Sequence, residues 1–173
     1  MQTYQKLFNQ LLKDIRVELD DEFNRNFERK AFFNIGWKPA VHNTIGSLLV
    51  RTGALRASLR SEVMGNAIRW ESSLAYADIQ NSGGTITVTQ KMKGFFWYRY
   101  RMATGGNDKN VNTESFFWKA MALKRVGSVI TIPKRQFIGA HPMVDQAVNS
   151  VTDDWFANDL KPFIDQQLNN MIK

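Results

Sequence analysis

The chain has 173 residues, a length typical of one domain, and its 43% hydrophobic and 23% charged residues are the proportions of a folded protein rather than a disordered one. It has no cysteine, which excludes disulfides, thiolate metal sites and cysteine nucleophiles, and no apolar run approaches the ~20 residues that span a bilayer. The N-terminal residues lack the apolar region of a secretory signal, and the formal net charge is +7, so we expect a basic protein that is neither secreted nor inserted in a membrane.

The first predicted element is a long amphipathic helix between Tyr4 and Phe27. Its apolar residues recur every three or four positions, which places them on one stripe. At 1.5 Å per residue this helix is about 36 Å long. Glycine and proline then interrupt the pattern, so residues 33–50 are predicted to form a connecting segment in which Trp37 is the anchor.

A short helix running into a strand is predicted next. Thr52 is a plausible N-cap for a helical turn that carries Leu55 and Leu59, and the alternation that follows is typical of a strand. Gly65-Asn66 separates this strand from a second alternating stretch, which predicts a hairpin turn.

The middle of the chain predicts two strands separated by an insertion. A short helix from Ser73 to Gln80, closed by glycine, precedes the strand Thr85–Thr89, and 38 residues then separate residue 89 from the strand Ser128–Ile132. An excursion of that length is too long for a structureless loop. Residues 91–125 are therefore predicted to form a helical hairpin, with Asn112 or Thr113 capping its second helix.

The last predicted region is helical. Pro142 suits a first helical turn, and Pro162 must interrupt or kink the helix, with Asp159 placed to cap the piece that follows. The predicted class is α+β: a long N-terminal helix, a small antiparallel sheet, an inserted helical hairpin and a C-terminal helix kinked near Pro162. All of it forms one domain, residues 1–173, in which the insertion covers about 91–126.

The charge is unevenly distributed along this domain. Residues 37–140 contain 15 basic and 5 acidic side chains, whereas residues 141–173 contain two basic and five acidic ones. A lysine and arginine excess is typical of contact with phosphate, of an acidic partner, or of solubility alone. The asymmetry also suits head-to-tail assembly, in which a basic face meets an acidic one.

The sequence offers little for catalysis. His42 and His141 are 99 positions apart without a neighbouring carboxylate at ligand spacing, which argues against a metal site. No glycine-rich loop is followed by Lys-Ser/Thr, and no serine lies in a nucleophile elbow. We expect neither an enzyme nor a cofactor.

The segment Lys91–Arg101 interleaves five aromatic residues with four cations. This composition is typical of a surface that stacks on nucleic-acid bases. The candidate contacts are Lys91, Lys93, Phe96, Trp97, Tyr98, Arg99 and Arg101. The alternative is helix packing, in which Phe95, Tyr98 and Met102 lie on Phe116, Phe117 and Met121, while Arg99 and Arg101 face outward.

Four segments in order carry a resemblance to a known family. They are Phe27-Glu-Arg with Gly36-Trp-Lys-Pro39, Leu48–Leu59 around Arg-Thr-Gly-Ala-Leu, Ala75–Gly84, and Ile132–Gly139. Together they resemble the phage virion morphogenesis family, which includes tail completion proteins of tailed bacteriophages. The matching residues are Trp37, Arg51, Thr52, Gly53, Leu55, Tyr76, Ala77, Gly83, Pro133, Arg135, Phe137 and Gly139.

The resemblance implies an α+β virion protein that completes or terminates the tail and joins it to the head. It implies a homo-oligomeric ring of six copies around the DNA channel, in contact with neck, connector and tail tube proteins, assembled in the cytoplasm of the bacterial host. Most of the matching residues are expected to serve the fold. Arg51 and Arg135 are the candidates for contacts beyond it, because a guanidinium can fork onto a carboxylate, although both can equally pair within the subunit.

Overall fold

The computed structural model describes residues 3–39 and 48–172, and its mixture of helices and small antiparallel sheets confirms the α+β class. Residues 40–47 of the predicted connecting segment, which include His42, lie outside the described residues. The first elements are α1 (Tyr4–Arg29), β1 (Ala31–Phe32), β2 (Ile35–Gly36), α2 (Ala54–Ser58), β3 (Leu59–Met64), β4 (Ala67–Ser72) and α3 (Ala77–Ser82). They are followed by β5 (Gly84–Thr87), α4 (Gln90–Thr104), α5 (Thr113–Ala122), β6 (Val129–Ile132), α6 (Pro142–Trp155) and α7 (Lys161–Met171), with a π-helical turn, Phe156–Leu160, between the last two.

The strands do not form the one small sheet that was predicted. They form three separate antiparallel pairs, β1 with β2, β3 with β4, and β5 with β6. The β3–β4 hairpin turns at Gly65-Asn66 as predicted, with Met64 opposite Ala67. The β5–β6 pair joins chain segments on either side of the insertion, with Thr87 opposite Val129.

Helix α1 builds the first core cluster. Its buried stripe packs against α6 and β4, and the indole Nε1 of Trp155 donates a hydrogen bond to the carbonyl oxygen of Leu7 at 3.2 Å. This N-terminal core contains Leu7, Leu11, Ile15, Leu19, Phe23, Phe32, Phe33 and Trp155. The predicted amphipathic stripe of α1 is therefore the surface against which the C-terminal helix α6 packs.

Two predicted helix caps are wrong. Helix α2 begins after Gly53, whose left-handed φ of 69° sets the entry of the helix, and Thr52 accepts a hydrogen bond only from the amide of Ala54. Asp159 lies inside the π-helical turn, and α7 has no side-chain cap. At α7 the preceding π-helical turn supplies a backbone acceptor for the amide of Lys161, whereas at α2 Gly53 occupies the cap position and has no side chain to offer.

The C-terminal helix is interrupted just before Pro162, as predicted. Proline has no amide hydrogen and its ring crowds the carbonyl four residues earlier, here that of Asn158. The chain accommodates this with a π-helical turn, in which the amide of Lys161 donates to the carbonyl of Phe156. The interruption gives α6, which is partly buried, a separate exposed continuation in α7.

The insertion is a helical hairpin, as predicted. Helix α4 ends at Gly105 in the left-handed conformation, and α5 begins at a reciprocal cap formed by Asn112 and Ser115. The amide of Ser115 donates to Oδ1 of Asn112 at 2.7 Å, and the amide of Asn112 donates to Oγ of Ser115 at 2.8 Å. Of the two predicted caps, Asn112 is therefore the one used.

Candidate functional site

The four segments that carry the family resemblance meet in a second buried cluster. We call it the motif core, and its buried residues are Phe27, Trp37, Leu55, Ala77 and Phe137. The ring of Phe27 lies at its centre, 5.7 Å from the ring of Trp37 and 5.3 Å from that of Phe137 between centroids. The first matching stretch thus contributes two residues, and each of the other three contributes one, to a single packed group.

Polar contacts join the first and last of these segments. The indole Nε1 of Trp37 donates to the carbonyl of Gln136 at 2.6 Å, and Nε of Arg135 donates to the carbonyl of Lys38 at 3.1 Å. These two bonds run in opposite directions between chain segments about a hundred residues apart. They hold the stretch around Trp37 against the chain that leads out of β6.

Asn81 joins the second segment to the last one. Its Oδ1 accepts from the amide of Phe137 at 2.8 Å and from that of Ile138 at 3.2 Å, while the amide of Arg135 donates to the carbonyl of Gln80 at 2.9 Å. Our sequence analysis did not single out Asn81. Its position beside Ser-Gly-Gly was the available signal, because asparagine is suited to satisfying backbone groups in irregular segments.

Asn26, on α1, also binds backbone groups of other segments through its side chain. It is fully buried, its Nδ2 donates to the carbonyl of Phe137 at 3.2 Å, and its Oδ1 accepts from the amide of Phe33 at 2.9 Å. A buried amide side chain with both ends bonded fixes the backbone on two sides. Asn26 therefore connects the motif core to the β1–β2 turn.

Arg135 is a residue of the interior. It is only 8% exposed, and burial lowers the pKa of its guanidinium. Of the two roles that the sequence left open, the structure shows the one within the subunit, since the hydrogen bond to Lys38 leads inward. Arg135 is thus engaged within the chain, and a contact beyond it stays a prediction.

The matching glycines serve the backbone. Gly83 has a φ of 73°, and a Cβ there would lie 2.8 Å from the amide nitrogen of Lys134. Gly139 has a φ of 131°, and a Cβ there would lie 2.7 Å from the side chain of Gln136. Pro133 directly follows the last residue of β6, where the ladder ends.

Besides Gly139, three matching residues lie on the surface. Arg51, Thr52 and Tyr76 are exposed, unlike the residues of the motif core. The charge of Arg51 acts on Glu114 in the hairpin. Arg51 is thus the matching cation that remains available on the surface.

The interior of the hairpin is built from the opposite face of α4 to the one predicted. Phe96 and Tyr100 are buried, and the ring of Phe96 stacks on that of Trp118 with centroids 6.1 Å apart. The predicted packing stripe of Phe95, Tyr98 and Met102 is instead more than half exposed. Aromatic residues occur all around α4, so the geometry of its contact with α5 selects the buried face.

Arg99 is engaged inside the hairpin. Its Nη2 donates to Oε1 of Glu114 at 2.9 Å, and its guanidinium lies 5.0 Å from the ring centroid of Trp118. The same carboxylate accepts from Nε1 of Trp118 at 3.0 Å. This hydrogen bond, followed by the Arg99 pair and the charge of Arg51, holds the pKa of Glu114 below its ordinary value against the opposing effect of burial.

The proposed stacking segment is therefore divided by the structure. Lys91, Trp97, Tyr98 and Arg101 are exposed on the outside of α4. Phe96 and Arg99 are committed to the hairpin interior, and Lys93 is half-buried. Tyr98 lies between Phe95 and Met102 on the outer stripe of α4, and Lys91 is at the start of that stripe. The exposed face of α4 is therefore aromatic and basic, but it includes fewer of the residues that were predicted from the sequence to contact nucleic acid.

A groove on the hairpin was not foreseen. It has a volume of about 280 Å3 and an apolar lining. The lining residues are Tyr100, Val111, Phe116, Lys119, Ala120 and Leu123. Because Val111 enters it from the connection between the helices, helical periodicity alone does not reveal it.

A polar cavity of about 290 Å3 lies beside α1. Asp20 occupies it, accepting from Oγ of Ser61 at 2.6 Å and from Nε1 of Trp70 at 2.7 Å. Both carboxylate oxygens are therefore used in attaching the β3–β4 hairpin to α1. Asp20 acts here as a structural acceptor.

No metal cluster occurs among the residues that the structure describes. Within those same residues, no helix combines the length and apolarity needed to cross a membrane. His141 caps α6, accepting from the amide of Met143 at 3.2 Å through Nδ1, and its ring stacks on Phe33 with centroids 4.8 Å apart. Comparison with protein-family models, curated proteins and solved structures finds no match for this chain.

Proposed function

We propose that this chain is a structural virion protein of a tailed phage or prophage, which completes or terminates the tail and joins it to the head as a ring around the DNA channel. The observation that carries the proposal is the motif core. Four segments that resemble the phage virion morphogenesis family, spread over more than a hundred residues, pack around Phe27 as one unit. Residues that match a family for reasons of fold are expected to be neighbours in space.

The use of polar residues supports a structural role. The side chains of Asn26, Asn81 and Arg135 each form hydrogen bonds with backbone groups of distant segments. Asp20 does the same for the side chains of the β3–β4 hairpin. In an active site such groups keep hydrogen-bonding capacity for a reacting atom, whereas here the bonds they make hold the chain together.

The electrostatic asymmetry supports assembly around DNA. Residues 90–127, which contain the hairpin, include eight basic and two acidic side chains, whereas residues 142–171 include one basic and five acidic ones. Lys91 and Arg101 are exposed on the hairpin. A ring whose copies place these cations toward its channel attracts the phosphate backbone without reading its sequence.

Deletion of the gene from its phage or prophage tests the proposal. We expect the protein in purified particles by mass spectrometry, and, in the deletion, unattached heads or tails of uncontrolled length by electron microscopy. Unattached heads indicate a joining step, and uncontrolled tail length indicates termination. Wild-type protein supplied from a plasmid is the control and restores infectious particles. Absence of the protein from particles, together with normal joined tails in the deletion, would overturn the proposal.

A second candidate is a nucleic-acid-binding module, favoured by the exposure of Lys91, Tyr98 and Arg101 with Trp97 beside them. It predicts single-stranded DNA binding that weakens steeply with salt and is reduced about tenfold or more by Trp97→Ala or Tyr98→Ala. Tyr4→Ala, an exposed tyrosine on α1, is the matched control. Unchanged binding in both hairpin variants, or no binding at low salt, rejects this function.

A further inference from the structure

The hairpin groove exposes apolar side chains that nothing in the described chain covers. Val111, Phe116 and Leu123 are 62%, 67% and 65% exposed around it. Its floor is the buried ring of Tyr100, with Nζ of Lys119 5.7 Å from the ring centroid. A concave apolar surface with a cation at its edge is suited to an amphipathic segment that carries acidic residues.

Helix α7 is such a segment. It has no buried residue among those described, and Ile164, Leu168 and Met171 lie on one side of it. Their spacing of four and three residues is that of anchors which enter a groove from one helix face. Ile164 is 43%, Leu168 52% and Met171 82% exposed, so the residues that the structure describes leave this C-terminal stripe largely uncovered.

The net charges of the two regions are opposite, because residues 90–127 contain eight basic and two acidic side chains, whereas residues 142–171 contain five acidic side chains and one basic one, Lys161. Lys119 lines the groove, and Lys124 and Arg125 follow Leu123 at its end. Asp165 is adjacent to Ile164 on α7, and Asp159 lies in the π-helical turn before it. Opposite charge around two apolar patches guides their approach and fixes the orientation of the contact.

We propose that α7 of one copy docks in the hairpin groove of another copy, with the C-terminal stripe against Phe116 and Leu123. A second copy is the occupant because one chain carries both halves of this complementary pair, each exposed. The contact is heterologous, so a row of bound copies still has a free groove at one end and a free stripe at the other. Repetition of the contact therefore gives a ring when the rotation closes. The inference rests on the proposed function, since it names the contact between copies that a ring requires.

Complementary loss-of-contact variants of the full chain test this interface. Leu123→Glu places a carboxylate in the groove, and Leu168→Glu places one in the stripe. Both positions are exposed, so both variants keep the fold, which circular dichroism checks. The control is Val17→Glu, because Val17 is a similarly exposed apolar residue on α1, outside both surfaces.

The readout is mass as a function of protein concentration, by sedimentation velocity. We expect the wild type and Val17→Glu to associate, and each of the other variants to associate at least about tenfold more weakly. We expect a mixture of Leu123→Glu and Leu168→Glu to form one-to-one dimers and nothing larger, because only the intact stripe of the first fits the intact groove of the second. No association of the wild type, wild-type association in either variant, or no dimer in the mixture would overturn the inference.

The association experiment and the gene-deletion experiment test the interface and the proposed function independently. A protein that is present in particles but does not associate through these surfaces refutes the interface and leaves the proposed function in place. A protein that associates as described but is absent from particles, in a deletion with normal tails, refutes the function and leaves the interface in place.

Discussion

The motif core and the helical hairpin hold their aromatic residues in contrasting ways. In the motif core, Phe27, Trp37 and Phe137 are buried where distant parts of the chain pack together. In the hairpin, α4 and α5 pack chiefly against each other, and Phe95, Tyr98 and Phe116 remain outside. The difference indicates that the first region specifies the fold of the chain, while the second is a local unit whose outer side chains stay exposed.

The largest expected effect is loss of packing in the motif core. Phe137→Ala removes a side chain that is 1% exposed, and we expect unfolding to become easier by about 3–5 kcal/mol from lost burial and the cavity left behind. Phe116→Ala in the hairpin, where the side chain is 67% exposed, should change stability by less than about 0.5 kcal/mol. Urea unfolding of both variants measures the contrast. Equal losses would remove the distinction between the two regions.

The next largest loss of stability is expected from substitutions at two glycines that have positive φ angles. Gly83→Ala forces a Cβ to 2.8 Å from the backbone of Lys134 at a φ of 73°, and we expect a loss of about 3 kcal/mol. Gly105→Ala has a φ of 60° with open space around it, and should lose about 1 kcal/mol, the backbone cost alone. Thermal unfolding compares them. A loss at Gly105 as large as that at Gly83 would show that the contact with Lys134 is unimportant.

The independence of the hairpin is tested at its cap. Asn112→Ala removes the bond that Oδ1 of Asn112 accepts from the amide of Ser115 and the bond that Nδ2 of Asn112 donates to the carbonyl of Ala103, and we expect about 1 kcal/mol of destabilisation confined to the hairpin. Hydrogen exchange followed by mass spectrometry should show faster exchange over 113–122 and unchanged exchange over 11–23 in α1. Faster exchange in both segments would mean that hairpin and body open as one unit.

The smallest effect is the pH dependence of the hairpin. The pKa of Glu114 is lowered from its ordinary value of 4.5, so its contribution is present above that pH in full and is lost as pH falls through the lowered pKa. Glu114→Gln should remove this part of the acid sensitivity, with a stability change below about 1 kcal/mol at neutral pH. Exchange over 113–122 between pH 3 and 6, corrected for intrinsic rates, measures it. Glu62→Gln, at an exposed position of strand β3 outside the hairpin, is the control and should leave exchange over 113–122 unchanged.

Much of the fold was predictable because its signals are local. The stripe of α1, the turn at Gly65-Asn66, the hairpin insertion, the Asn112 cap and the interruption before Pro162 each depend on residues close in sequence. The three separate strand pairs were not predictable, because lateral joining of strands depends on where the helices lie. The use of Gly53 rather than Thr52 at the start of α2 also required the backbone path.

For the site, the sequence by itself determined which segments matter and the uneven distribution of charge between the middle and the end of the chain. Only the tertiary structure decided which side chains are available. Arg135 turns inward to Lys38, Asn81 becomes a link to Phe137, and α4 buries Phe96 rather than Phe95. The physical reason is that α4 carries aromatic residues on nearly every face, so its period leaves the buried side open until α5 and Trp118 pack against it.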